Sequence, residues 1–286
     1  MRYFLPLFPN GKYKAVTLSY DDGRDTDKKL SEILNKYGIK CTFNINSGYI
    51  PKQSGDIRLS AEEIQKYILD CGHEIAVHGE FHVAPGVATK TGYIMDTLNC
   101  RLALEKEFNI IVNGMAYPNS GIRRMNVGNT YEEIKHDLKS LGIVYARSLG
   151  SDNDNFELPT DWFNWLPTAY HKNPDVIKYA EEFANLEISK YPHRRSPKLF
   201  YLWGHSYEFR DDNNWDLIEK LCQILGQRED TWYATNIEIY NYIEAFKSLV
   251  FSADNTMVYN PTVHTVWFES GDKQFVIKSG ETLVLE

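Results

Sequence analysis

Asp21 and Asp22, followed by Gly23, place two adjacent carboxylates at the end of the apolar run Ala15 to Leu18. His78 and His82 follow a second apolar run, Ile75-Ala76-Val77, and His205 closes a third, Leu199 to Trp203. Each run reads as a strand. Two imidazoles at i and i+4 reach one ion when the chain between them curls like a helical turn. A carboxylate oxygen completes a three-ligand set and leaves a position open to water, which a divalent ion acidifies. Hydrolysis then needs a second carboxylate to take the water's proton and an acid to protonate the leaving group. Asp21, Asp22, His78, His82 and His205 supply that full complement. Singly, each signal is weak, since Asp-Asp-Gly is a common solvated turn and most histidine pairs are surface residues. Their coincidence at three strand ends makes a metal hydrolase built on a barrel rim the expected chemistry. The mixed His and carboxylate donors favour zinc.

These segments resemble the motifs of the polysaccharide deacetylases, the carbohydrate esterases of family 4 that share the NodB-homology domain. Ser19-Tyr20-Asp21-Asp22-Gly23 is similar to their first motif, His78-Gly79-Glu80-Phe81-His82 to their second, and Leu202-Trp203-Gly204-His205 to their late Leu-x-x-His motif. The resemblance runs over roughly residues 12 to 250. It implies that Asp21 is the catalytic base, that Asp22, His78 and His82 hold the metal, and that His205 is the catalytic acid. It also implies a backbone N–H oxyanion donor near Asn119. Tyr117, at a strand end, Asn119 and Trp165, in the loop below, are the expected substrate contacts.

The chain departs from the family at three points. Gly79 stands where a hydroxyl residue normally fixes the second-motif loop. Ala116, in Met115-Ala116-Tyr117-Pro118-Asn119, stands where an Arg normally orients the base. Arg147, closing the apolar run Ile143 to Ala146, is the expected substitute in the catalytic set, with Arg123 and Arg124 as alternatives. The carboxylate that normally partners the catalytic His is matched only by Asp161-Trp162, where Asp161 reads equally well as a loop residue or helix cap.

Those residues need elements to carry them. Strand-like runs near 14–20, 40–46, 73–78, 113–117, 143–148, 198–204 and 231–235 alternate with helical stretches, which implies a parallel sheet with helices outside. Ser60 to Glu63 and Thr130 to Glu133 fit the capping-box pattern and mark two helix starts. The expected fold is α/β, a distorted (β/α) barrel of about seven strands over residues 1–250. A small antiparallel β appendage over 251–286 follows, where short alternating runs are separated by Asp254-Asn255, Gly271-Asp272 and Ser279-Gly280 turns. The stretch 149–173, with Trp162, Trp165 and His171, reads as a loop over the barrel mouth, its aromatics either stacking on a sugar or packing the loop down.

The chain has 286 residues, enough for one such barrel. Hydrophobic residues make up 43%, so it can bury a core. A net charge of −8 argues against a general nucleic-acid binder, and no run is long enough to span a membrane. The four cysteines form no Cys-x-x-Cys pair, and Cys41 and Cys71 read as buried thiols. Met1 to Pro6 lacks the pattern of a signal peptide, so a cytoplasmic location is expected. The functional expectation is a metal-dependent, zinc-using hydrolase that removes acetyl groups from a carbohydrate. Its rivals are a hydrolase of another amide or non-peptide C–N bond on the same scaffold, and a carbohydrate-binding protein that has lost catalysis.

Overall fold

A computed structural model describes residues 3–285 apart from 52–54, 56, 127, 150, 151, 153–155 and 189–195. Strand β1 (Leu5–Leu7) precedes β2 (Lys14–Asp21), and helices then alternate with strands: α1 (Asp27–Lys36), β3 (Cys41–Ile45), α2 (Ala61–Ile64), β4 (Glu74–Val77), α3 (Lys90–Phe108), β5 (Gly114–Ala116), α4 (Tyr131–Ser140) and β6 (Tyr145–Arg147). The order continues with β7 (Ala169–Tyr170), α5 (Val176–Ala184), β8 (Lys198–Gly204), α6 (Ser206–Asp211), α7 (Trp215–Leu225), β9 (Thr231–Tyr233) and α8 (Asn236–Lys247). Five short strands close the chain: β10 (Val250–Phe251), β11 (Met257–Tyr259), β12 (Val266–Ser270), β13 (Lys273–Ile277) and β14 (Thr282–Val284).

Side chains alternate across a strand, and β2 uses both faces. Val16, Leu18 and Tyr20 join the large cluster that packs the sheet against its helices. Thr17, Ser19 and Asp21 turn to the other face, the barrel interior. There the polar groups are paired with one another: Thr17 with Asn236, and Ser19 with Asn44. Glu74 accepts from the hydroxyls of Thr42 and Tyr145 and from the Ile237 N–H. Burial pushes its carboxyl up to about 7. Buried polar groups are stable only when bonded in this way.

Seven strands follow the path β6-β5-β4-β3-β2-β8-β7, and β9 joins β2. All of these pairings are parallel. The N-terminal half of β2 pairs β9 and its C-terminal half pairs β3, while β8 runs along the opposite edge. The sheet is curled, and between β6 and β7 a single bridge from Arg147 to Trp165 marks the seam. This is the expected distorted (β/α) barrel.

Ser60 and Glu63 exchange both bonds of a capping box. Thr130 accepts the Glu133 N–H but spends its own hydroxyl on the Glu133 carboxylate, giving half a box.

Three readings need correcting. The stretch 149–173 is not all loop: it holds β7 and a 3-10 turn over Trp162–Asn164. Two-residue strands and single turns carry no periodicity for a sequence to display. Cys71 is exposed, whereas Cys41 is buried as expected; Cys71 lies in the turn that follows the helical stretch 61–69. The appendage is also not built from 251–286 alone. β1 pairs antiparallel with β12, which pairs β13, while β10, β11 and β14 form a second small sheet. Ala245, in the last turn of α8, and Leu249, just past it, pack into the core of this unit. No helix among the described residues is long and apolar enough to cross a membrane.

Candidate metal centre and active site

β2 ends at Asp21, and the chain then adopts a conformation few side chains tolerate. Asp22 has φ 85° and His82 has φ 64°. Left-handed backbone at non-glycine residues costs about 1–3 kcal/mol and persists where the surroundings enforce it. The turn at Asp22 lets two adjacent carboxylates serve one site. Its N–H is fixed by the Asn44 carbonyl at 2.9 Å.

Asp22, His78 and His82 each offer one ligand atom, all within 4.8 Å of one another. His82 Nε2 lies 3.1 Å from His78 Nε2 and 3.5 Å from Asp22 Oδ1. The donor set fits a divalent ion on a further ground. His78 Nδ1 bonds the Ala116 carbonyl at 2.9 Å, which assigns the ring proton to Nδ1 and leaves the Nε2 lone pair facing the cluster. Burial lowers the pKa of His78. Burial and the neighbouring His78 bring His82 to about 4, so both rings are neutral, the form that binds metal.

Gly79 has φ 76°, and a Cβ there would meet Asp96 Oδ2 at 2.1 Å. The hydroxyl expected at this position is not missed, because Asp96 on α3 replaces it. Its carboxylate accepts the N–H groups of Phe81 at 2.6 Å and Val83 at 3.1 Å, clamping the loop between the two histidines. Asn46 holds the other side through the carbonyls of His78 and Gly79.

Asp21 is buried. Asn44 Nδ2 donates to its Oδ1 at 2.8 Å, and Arg147 Nη2 to its Oδ2 at 2.5 Å. Burial raises the pKa of Asp21, but Arg147, His78 and His205 outweigh it and the net shift is downward. The Arg147 guanidinium lies over the Trp203 ring, 4.6 Å from its centroid. β5 and β6 pair with Ala116 opposite Arg147, so the cation sits on the next strand at the same level as the position the family motif leaves empty. Arg123 and Arg124, the alternatives, have no ion pair to Asp21.

His205 Nε2 lies 4.0 Å from Asp21 Oδ2. Its Nδ1 lies 3.2 Å from Glu208 Oε2. Burial lowers the pKa of His205, but the Glu208 bond and the charge of Asp21 outweigh it, leaving it raised. Burial likewise works against ionised Glu208, but bonds from His171, His205 and Tyr170 hold it well below the usual carboxylate range. Asp161 plays no part here. It accepts from Tyr131 and Lys135 and caps the turn at Phe163. The partner of His205 is therefore Glu208, which the motif comparison missed. A signal for it existed in the spacing His205-Ser206-Tyr207-Glu208, since a helix opening just past a strand end puts its third residue back over the cap.

Of the expected substrate contacts, only Asn119 is exposed. It has φ 50°, and its side chain donates to the His82 carbonyl at 2.8 Å. Among the described residues no carbonyl accepts its backbone N–H. Tyr117 is buried, with its hydroxyl on the Phe163 carbonyl. Trp165 is 1% exposed and packs edge-on to Tyr145, Trp162 and Tyr201. Its ring fills the barrel seam and offers no face to a sugar.

The resemblance read from the motifs is matched by comparison. A family profile described as polysaccharide deacetylase matches residues 9–145. A putative polysaccharide deacetylase from Mycobacterium smegmatis shares the fold at TM-score 0.57 and 20% identity, over 85% of this chain and 94% of that one. The chitin deacetylase of the fungus Colletotrichum lindemuthianum aligns at TM-score 0.50 and 17% identity, over 82% and 89%. The allantoinase PuuE aligns at TM-score 0.54 and 10% identity, over 82% and 91%. No curated protein matches the chain.

Proposed function

We propose that this chain, a relative of the polysaccharide deacetylases in motif and fold, is a metal-dependent hydrolase that removes acetyl groups from a carbohydrate. The observation that carries this reading is the convergence of a three-donor cluster, a buried carboxylate and a histidine on one barrel rim. Asp22, His78 and His82 would hold the ion, and their mixed donors favour zinc. A divalent ion there supplies Lewis acidity toward the acetyl carbonyl and acidifies a water.

The protein's own groups do the rest. Asp21, aimed by Arg147 and Asn44 and kept ionised, takes the proton of the attacking water. The Asn119 N–H donates to the developing oxyanion. His205 gives its Nε2 proton to the departing oxygen or nitrogen, and Glu208 stabilises the charged ring from Nδ1. Arg147 and Glu208 act as positioning residues: each fixes one of the two proton-transfer groups. Tyr117 and Trp165 support the rim from below.

Acetate release from N- and O-acetylated saccharides by zinc-loaded protein tests the activity. Elemental analysis of Asp22→Ala, His78→Ala and Asp21→Asn tests the division of labour. The first two variants should lose the ion. The third should retain it and lose turnover by about 10²–10⁴-fold. Metal loss in Asp21→Asn equal to that in Asp22→Ala, or no acetate from either substrate class, overturns the reading.

A further inference from the structure

Two arginines stand beside the metal cluster with no role in the mechanism above. Arg24 and Arg58 face each other in an antiparallel bridge. Arg24 Nε lies 3.7 Å from Asp22 Oδ2, and its guanidinium lies over the Tyr207 ring, 4.8 Å from the centroid. Tyr207 in turn packs 5.3 Å from the His205 ring. Arg24 thus sits between the candidate metal ligand and Tyr207, the ring neighbour of the candidate acid. Arg58 donates to the Asp22 carbonyl and to Asn46 Oδ1, and it stacks on Tyr49 at 4.9 Å.

Arg58 is thereby occupied. Arg24 is less engaged: its Nε is buried and makes no hydrogen bond, and its one ion pair among the described residues is the 3.7 Å contact to Oδ2 of Asp22, whose Oδ1 faces the two histidines. Stacking on Tyr207 costs the fork none of its donors and holds it flat. A preorganised, partly exposed guanidinium is matched in shape by a planar carboxylate, which it binds through two parallel hydrogen bonds.

Electrostatics argue the same way. The chain as a whole carries −8, yet this rim gathers Arg24, Arg58 and Arg147 around Asp21, Asp22 and Glu208. A divalent ion and a charged His205 would leave the loaded site net positive. Two guanidinium groups beside a metal ligand oppose metal binding unless an anion offsets them. We infer that the substrate is an acidic saccharide, an acetylated sugar carrying a carboxylate, and that Arg24 is its specificity determinant, with Arg58 adding long-range attraction. This rests on the deacetylase reading and names its substrate class.

The test compares zinc-loaded wild type, Arg24→Gln and Arg24→Lys on an O-acetylated oligouronide and on a neutral acetylated xylo-oligosaccharide. Non-acetylated oligouronide binding is measured separately by calorimetry. Wild type should favour the acidic substrate by at least about tenfold in kcat/KM, as one charged hydrogen-bonding contact implies. That preference should shrink as salt is added. Arg24→Gln should bring the acidic-to-neutral ratio near one, chiefly through KM, and Arg24→Lys should recover part of it. Equal turnover of both substrates by wild type, or a ratio unmoved in Arg24→Gln, overturns the inference and leaves the deacetylase reading standing. Absence of acetate release with oligouronide binding that Arg24→Gln abolishes supports the acidic ligand and overturns the deacetylase reading. Absence of both overturns both.

Discussion

Replacing Arg147 with Met isolates the device on which the candidate base depends. Methionine approximates the length of the side chain and removes its charge. It leaves Asp21 buried, with only Asn44 still bonded to it. Arg147 is itself 1% exposed, with Nε and Nη1 unpartnered, so the pair is joined through one short bond in a dry setting. Breaking a buried pair by removing one member costs about 3–5 kcal/mol, whereas replacing both members is much cheaper. Urea unfolding of metal-free protein at pH 7 should therefore show a loss of about 3–5 kcal/mol for Arg147→Met. Adding Asp21→Asn should recover most of it, giving a coupling energy of several kcal/mol. The sign with pH follows from linkage. In wild type the Asp21 pKa is depressed below its unfolded value. Its contribution is present above the unfolded pKa and disappears as pH falls through the folded one. In the variant burial dominates and raises that pKa, so the variant should lose stability as pH rises from about 4. The acid limb of the kcat/KM profile should move toward neutral pH with metal content unchanged. Because Ala116 and Arg147 are register partners, Ala116→Arg placed on Arg147→Ala should restore part of the turnover. A stability loss under about 1 kcal/mol, or an unmoved acid limb, would refute the claim that Arg147 holds the base.

Three further outcomes follow from the geometry. Glu208→Gln should lower the raised pKa of His205, shift the alkaline limb of the rate profile downward and cut kcat by about 10–100-fold, with metal content intact by elemental analysis. Gly79→Ala forces a Cβ against Asp96 at a backbone angle only glycine adopts freely, so it should weaken zinc affinity measured with a competing chelator by at least about tenfold. Asp27 is fully buried, with Oδ2 unbonded and burial raising its carboxyl to about 8. The unfolded chain gives up this proton near pH 4 while the folded one keeps it, so wild-type stability should fall by up to about 1.4 kcal/mol per unit between those values. Asp27→Asn should flatten that slope in thermal unfolding at pH 5 and pH 8.

The candidate metal donors and the two candidate proton-transfer groups were legible in the sequence because each depends on local geometry. A strand followed by a tight turn puts Asp21 and Asp22 at a rim whatever lies around them, and a four-residue spacing brings His78 and His82 together within one loop. Strand alternation and helix caps are likewise short-range, so the order of elements and the barrel could be read before any coordinates. The supporting groups could not be assigned with the same security, because they come from elements that only packing brings together. Arg147 is 126 residues from Asp21, and its place beside Ala116 depends on the register of two three-residue strands. Asp96 reaches the second-motif loop from a helix face, where an acidic residue reads as solvated surface. Glu208 displaced Asp161 as the partner of His205 because α6 starts at the strand end, a six-residue helix with no apolar period to announce it. Tyr117 and Trp165 looked like rim aromatics, yet packing buried both: Tyr117 joined the large cluster between sheet and helices, and Trp165 filled the seam between β6 and β7. β1 joined the C-terminal strands because an antiparallel edge bonds whichever strand packing delivers to it, regardless of distance along the chain.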